Sequence, residues 1–153
     1  MRIVVIGTSG VGKSTFARAL AQARGLPYVE LDALFWLPDW TPRSRDDFRD
    51  HTLAATQGPA WVADGNYSTV RDLLWPRATH IVWLNFGRLT VYSRIVRRTL
   101  RRVITREELW AGNRESWRKA FFSRQSIILW SLRTFGKNRR RYAALQAEPA
   151  EPR

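Results

Sequence analysis

At 153 residues and 44% apolar side chains, the chain is long enough for one domain with a real hydrophobic core. It has no cysteine, which excludes a disulfide framework, a thiolate metal site and a cysteine nucleophile. Net charge is +13, unevenly spread: residues 1–87 hold 9 basic and 8 acidic side chains, residues 88–141 hold 16 and 3, and the last twelve hold 1 and 2. The excess therefore sits in the second half, where it favours phosphate-rich partners such as nucleotides, nucleic acid or an anionic surface. No run approaches the ~18 uninterrupted apolar residues of a membrane span. The short apolar start, interrupted at Lys13, does not read as a signal peptide, and a cytoplasmic protein is expected.

Ile3-Val4-Val5-Ile6 is a β-branched run and predicts a buried strand over about 2–6. Directly after it, Gly7 to Ser14 reads G-T-S-G-V-G-K-S, a full match to G-x-x-x-x-G-K-[ST]. Glycines at this spacing let successive backbone N–H groups converge on anionic oxygens. Lys13 supplies positive charge to the β- and γ-phosphates of a triphosphate, and the Ser14 hydroxyl is placed to ligate Mg²⁺. The helix that follows, to about residue 24, points its positive end at the same phosphates; Gly25 and Pro27 stop it. The candidate nucleotide-binding set is Gly7, Thr8, Ser9, Gly10, Val11, Gly12, Lys13, Ser14 and Thr15. Thr15 either touches the α-phosphate or helps to start the helix.

Tyr28-Val29-Glu30-Leu31 reads as a second strand, ending at Asp32. Leu34 to Pro42 is an aromatic, Pro-containing loop. Its Trp36 and Trp40 either stack on a base, wall an acceptor pocket, or pin the loop to the body. Ser44 opens a helix with Asp46 and Asp47 in its first turn, running to about Thr56 before Gly58-Pro59. Trp61-Val62-Ala63 is a third strand ending at Asp64-Gly65, a short helix is expected over 68–75, and His80–Leu84 is a fourth strand. This alternation implies a parallel sheet with right-handed crossovers.

In open α/β sheets, ligands sit beyond the carboxyl ends of the strands, where Asp32 and Asp64 are expected. Asp64 either holds Mg²⁺ with Ser14 or merely forms an Asp-Gly turn. Asp32 either accepts a proton or hydrogen bond from an acceptor hydroxyl or caps a helix.

From about residue 90 the pattern is helical. Over 91–104, Tyr92, Ile95, Val96, Thr99, Leu100 and Val103 fall on one face, and Arg94, Arg97, Arg98, Arg101 and Arg102 on the other. Such a stripe is either a solvated basic face or a phosphate clamp, since guanidinium grips phosphoryl oxygens bidentately. Lys13, Asp32, Arg94 and Arg98 are the candidate catalytic residues. The basic 88–141 block also supports a second reading, a nucleic-acid-binding ATPase or nucleic-acid kinase. Ile127 to Leu132 is ambiguous between strand and helix. Residues 147–153 are expected to be a disordered tail.

Several segments together resemble the nucleoside-monophosphate-kinase-like branch of phosphate-loop proteins. They are G-T-S-G-V-G-K-S-T at 7–15, E-L-D-A-L-F-W at 30–36, D-G-N-Y at 64–67, V-R-D-L-L-W-P-R-A at 70–78 and G-N-R-E-S at 112–116. The chain resembles more closely bacterial proteins described as DNA topology modulation proteins, also labelled adenylate kinase-like. The resemblance implies an α/β, three-layer P-loop NTPase fold over a single domain, 1–146. Its parallel sheet has the order 2-3-1-4, with a fifth strand in relatives, and is flanked by helices with an Arg-rich lid at about 102–125. It also implies an ATP-binding phosphotransferase, moving the γ-phosphoryl of Mg-ATP to a nucleotide-like or small hydroxylated acceptor. In this resemblance Asp64-Gly65 looks similar to the Asp-Gly of adenylate kinases, and Arg94 with Arg98 matches their Arg-x-x-x-Arg pair. Asp32 stands where shikimate- and gluconate-type kinases place an acceptor-facing Asp. Two departures are visible. Asn66-Tyr67-Ser68 stands where adenylate kinases carry an aromatic, Pro and Arg, leaving Arg71 and Arg77 to replace that Arg. No fifth strand is evident unless 127–132 supplies it.

Overall fold

The structure is a computed structural model, and it describes residues 1–114 and 127–147. Four strands form one parallel sheet: β1 (Arg2–Gly7), β2 (Tyr28–Glu30), β3 (Trp61–Asp64) and β4 (His80–Leu84). Their order is β2-β3-β1-β4, as the family resemblance implies. The register sets Val5 opposite both Asp64 and Val82, and Glu30 opposite Asp64.

The β-branched run in β1 is covered on both faces, the setting in which such residues pack best. Ile3 and Val5 point to one side, with Val62 and with Ala17 and Ala21 of helix α1 (Lys13–Arg24). Val4 and Ile6 point to the other, with Phe48 of α3 (Arg45–Ala55), Leu74 of α4 (Arg71–Leu74) and the buried Trp61. Helix, sheet and helix thus make three layers. The Ser44 hydroxyl caps α3 by accepting the Asp47 N–H at 3.3 Å.

Three segments differ from the sequence expectation. First, β2 stops at Glu30. Leu31 turns inward to the core and opens the short helix α2 (Leu31–Phe35), so Asp32 lies in a first helical turn. The loop after it is an ordered ribbon, in which Trp36–Leu37 pairs antiparallel with Thr41–Pro42 around a turn at Pro38–Trp40. Second, the 68–75 segment is a 3-10 turn, Ser68–Val70, then α4, then a second turn at Trp75–Arg77. Pro76 has no N–H with which to continue a helix. Third, Ile127 to Leu132 is helical and opens α6 (Ile127–Ala147). Phe135 and Tyr142, seven residues apart on that helix, are its buried contacts with the body. Among the described residues the sheet ends at β4 and has no fifth strand.

Helix α5 (Arg88–Thr105) buries Val91, Ile95, Thr99 and Val103. This stripe is rotated from the expected face: Val96 is exposed, while Arg98 and Arg102 are half-buried beside the stripe rather than opposite it. The cause is where the helix docks. Ile95 and Val91 pack with Val11 of the glycine-rich loop and with Phe135 of α6. A Cβ on Gly10 would lie 2.0 Å from Ile95 Cγ1, and Gly10 has φ +79. That glycine therefore serves close packing as well as loop geometry. Gly10→Ala is expected to cost about 2 kcal/mol or more, from strained backbone and overpacking together. Thermal melts should show a fall of roughly 4–8 °C in a domain of this size.

After α5, Arg106 takes a left-handed conformation and the chain runs to a bridge between Glu108 and Arg114. Of the segment 102–125 expected as a lid, 115–125 lie outside the described residues, as do 148–153 of the expected tail. No helix among the described residues is long and apolar enough to cross a membrane.

Candidate active site

The loop from Gly7 to Gly12 leaves the centre of the sheet and feeds α1, whose helical residues begin at Lys13. The unpaired N–H groups of that first turn therefore lie at the loop. A Val11 N–H to Thr8 carbonyl bond of 3.2 Å closes the turn. The Lys13 ammonium folds across it, donating to the Gly7 carbonyl at 3.1 Å and the Thr8 carbonyl at 3.4 Å. Burial lowers the Lys13 pKa from its ordinary value; Asp32 and Asp64 pull it back, and Arg98 adds to the depression.

Asp64 ends β3 and is 4% exposed. Its Oδ2 accepts the Ser14 hydroxyl at 2.6 Å, and its Oδ1 accepts the Tyr28 hydroxyl at 3.0 Å. Burial pushes the Asp64 carboxyl up, while Ser14, Tyr28 and Lys13 oppose that shift. The Tyr28 phenol is pushed up as well, by burial and then by Asp64. A hydroxyl and a carboxylate at hydrogen-bond distance are the hard oxygen donors that Mg²⁺ takes. Among the described residues no group of three or more His, Cys, Asp or Glu could hold a metal. That sparse donor set suits Mg²⁺ at a nucleotide, which is bound through one or two protein oxygens, phosphates and water.

Asp32 is half-buried and accepts the Tyr67 hydroxyl at 2.5 Å. Tyr67 packs on Phe35 and Phe48 at centroid separations of 4.7 and 5.0 Å, and its phenol is pushed up by burial and then by Asp32. Arg94 reaches the loop: its Nη1 donates to the Val11 carbonyl at 2.8 Å, with Cζ 4.6 Å from the Phe86 centroid. Arg98 is near enough to act on the Lys13 charge. So Lys13, Ser14, Asp32, Asp64, Arg94 and Arg98 meet at one end of the sheet. Arg97 and Arg101 are exposed on α5, and Arg101 pairs with Glu107 at 2.9 Å. Thr15 is exposed on α1.

Arg77, expected as a replacement for the missing acceptor-side arginine, is committed elsewhere. It donates to the carbonyl of Thr56 and, at 3.2 Å, to its hydroxyl, capping the end of α3. Arg71 stacks on Trp75, with Cζ 3.7 Å from the ring centroid. Trp40 pins the loop: its backbone N–H donates to Asn113 Oδ1 at 2.8 Å and its indole to the Arg114 carbonyl at 3.3 Å. The Asn113 amide also donates to the Leu37 carbonyl at 2.9 Å.

Three participants escaped the sequence reading: Tyr28, Tyr67 and Asn66. The two tyrosines hold the two acids. Asn66 is paired with Gly7, accepting its N–H at 3.2 Å and donating to its carbonyl. The only available signal was D-G-N-Y, whose polar side chains follow directly on a strand end.

A parallel sheet in this order, with a glycine loop, lysine and serine at the end of its central strand, defines a phosphate-loop α/β protein. The model of the family "ATPase family associated with various cellular activities (AAA)" matches residues 3–61, which contain that loop. No curated protein matches the chain. A gluconokinase from Sinorhizobium meliloti 1021 is similar, at 24% identity and a TM-score of 0.54, over 88% of this chain and 74% of its own. A sugar kinase from Janibacter sp. HTCC2649 aligns at 18% identity and a TM-score of 0.45, over 88% and 76%. The first of these likenesses establishes a shared fold.

Proposed function

We propose that the chain is an ATP-dependent kinase acting on a small hydroxylated acceptor. The observation that carries this reading is the meeting of the Ser14–Asp64 pair, Lys13 and Asp32 at one end of the sheet. In this reading the Lys13 ammonium, which spends two of its three donors on the Gly7 and Thr8 carbonyls, turns its third to the β- and γ-phosphates. Ser14 and Asp64 would hold Mg²⁺, whose charge would offset that of the phosphates. Asp32, oriented by Tyr67, takes the proton of the acceptor hydroxyl. Arg94 and Arg98 stabilise charge on the group in transfer, and the 102–125 segment serves as a lid that excludes water.

The acceptor class follows from where the arginines go. On the acceptor side, Arg43 bonds Leu34 and Asp47, Arg49 bonds Thr69 and Asp72, and Arg77 bonds Thr56. These arginines serve the scaffold, so a monophosphate grip there has little support. An acid, a phenol and the aromatic rings of Phe35 and Trp36 suit the hydroxyls of a neutral polyol or sugar better. The shared fold with a gluconokinase agrees with a hydroxylated acceptor.

The test is ADP formation with ATP and a panel of polyols, sugar acids and nucleoside monophosphates. Nucleotide binding without acceptor-dependent turnover would overturn the proposal. Asp32→Asn is expected to reduce acceptor-dependent turnover about a hundredfold, the usual worth of a positioned base. Its affinity for Mg·ADP should stay within about twofold, since Asp32 serves the acceptor and not the nucleotide.

A further inference from the structure

The Gly112-Asn113-Arg114 stretch has no part in the proposed function, yet its asparagine is only 5% exposed. The Asn113 N–H and one of its amide protons go to the Trp110 carbonyl, at 3.1 and 2.8 Å, and its carbonyl accepts the Leu109 N–H at 2.7 Å. The rest of the carboxamide crosses to the ribbon that follows α2. Its Nδ2 donates to the Leu37 carbonyl at 2.9 Å, and its Oδ1 accepts the Trp40 N–H at 2.8 Å. Leu37 and Trp40 are the first and fourth residues of the ribbon's turn. Their carbonyl and N–H are the two groups that a β-turn commonly bonds to each other. Here a carboxamide 73 residues beyond Trp40 stands between them, presenting a donor and an acceptor as a peptide group does.

Strain explains why this turn is held from outside. Asp39 and Trp40 have φ +59 and +57, the left-handed region that side chains disfavour. Across the contact, Ala111 and Gly112 have φ +54 and +76. Three of the four non-glycine residues with positive φ among the described residues therefore meet at this junction. Such backbone persists only where its surroundings over-determine it. The Trp40 indole bond to the Arg114 carbonyl and a Trp40–Trp110 ring contact at 6.4 Å add support, but Asn113 is the side chain that touches both ends of the turn. The ribbon bears on the acceptor side through its first residue. Trp36 lies 4.9 Å from Phe35 and 5.5 Å from Trp40, between ring centroids. Phe35 in turn packs at 4.7 Å on Tyr67, whose hydroxyl holds Asp32.

We propose that Asn113 is a positioning residue for the acceptor, which it serves by holding the left-handed turn at 38–40 and, through Trp40, the Trp36 ring. The inference rests on the proposed function for the identity of the acceptor side. The carboxamide's bonds go to Leu37, Trp40 and Trp110, and not to the phosphate loop, Asp32 or Asp64. Their loss therefore falls on acceptor binding and raises KM, sparing nucleotide affinity and the chemical step. Strain gives a second signature. Glycine takes positive φ without steric penalty, so Asp39→Gly lets the turn form with less outside support.

The test is amide hydrogen exchange beside steady-state kinetics on wild type, Asn113→Ala, Asn113→Asp and the double variant Asn113→Ala with Asp39→Gly. The acceptors are glycerol, sorbitol, glucose and gluconate, and Mg·ADP is titrated separately. In Asn113→Ala the Trp40 amide is expected to exchange about tenfold faster, while the amides of α3 keep their wild-type rates. The acceptor KM should rise about tenfold, with kcat and Mg·ADP affinity within about twofold of wild type. Adding Asp39→Gly should bring KM back to within about threefold of wild type. Asn113→Asp keeps an acceptor for the Trp40 N–H but has no donor for the Leu37 carbonyl, so it should raise KM with less effect on Trp40 exchange. It carries the test alone should the alanine variant fail to fold. A folded variant with wild-type KM overturns the inference. So does a matching loss of kcat or Mg·ADP affinity, or a double variant without recovery, either of which would mean general damage to the fold. Wild type that binds Mg·ADP but phosphorylates none of the acceptors overturns the proposed function, and the acceptor role with it. Unchanged Trp40 exchange in Asn113→Ala overturns the inference alone, so the two failures are distinct.

Discussion

Lys13→Ala is expected to abolish measurable phosphoryl transfer, lowering acceptor-dependent turnover by about a thousandfold or more. The side chain is the only lysine in residues 1–118 and sits in the loop itself. Its ammonium donates to the Gly7 and Thr8 carbonyls and feels both Asp32 and Asp64. The sign for stability is the opposite of that for activity. Burial lowers the Lys13 pKa, so the fold favours the neutral amine over the ammonium. A depressed folded pKa means stability is greatest above the ordinary lysine range and is lost as pH falls through the folded value. Whenever the lysine is charged, it is therefore held against the preference of the fold. Removing it should leave the melting temperature of the unliganded protein unchanged or slightly higher, the two loop carbonyls turning to water. Turnover assays paired with melts of the same preparation check this. A variant that keeps full activity, or one that loses activity only because it unfolds, would contradict the role given to Lys13.

Much of the fold was legible because it rests on local patterns that no tertiary contact overrides. Ile3 to Ile6 is β-branched and buried on both faces, and the parallel sheet follows from strands alternating with helices, while its order came only with the family resemblance. The loop was legible because its chemistry is contiguous: glycines, lysine and serine fall within eight residues. What was not legible depends on how distant pieces meet. Leu31 has a strand's composition, yet it turns into the core and begins a helix. The face of α5 was misread because a count of apolar residues cannot anticipate that Ile95 packs on Gly10. Arg98 and Arg102 then flank the core-facing stripe. Nothing in the sequence marks Tyr28 and Tyr67, since a tyrosine's apolar body and polar tip are equally at home in a core or on a carboxylate. Only the fold brings Tyr28 to Asp64 and Tyr67 to Asp32, across sequence separations of 36 and 35 residues.

Asp64→Asn is expected to divide function from stability most sharply. The carboxylate is 4% exposed and carries its charge where burial opposes it. Its folded pKa lies above the ordinary carboxylate value. The protonated form's stabilisation is thus complete below that value and is lost as pH rises through the folded one. In its ionised form the group is therefore a net burden on the metal-free fold. Asparagine keeps the shape, accepting from one of the Tyr28 and Ser14 hydroxyls and donating to the other, which must turn to accept, and it brings no charge. Glu30, set opposite Asp64 in the sheet, has its own carboxyl pushed up by burial and then by Asp64, so the substitution relieves it too. The variant should therefore melt above wild type at alkaline pH without Mg²⁺, and that margin should shrink as pH falls and the wild-type acids take up protons. Turnover should fall about a hundredfold to a thousandfold, because a neutral amide is a poor partner for Mg²⁺. Added Mg·ADP should raise the melting temperature of wild type more than that of the variant, since a ligand stabilises only the state that binds it. A variant that melts lower at every pH, with turnover intact, would mean that Asp64 is a structural acid and that the metal is held elsewhere.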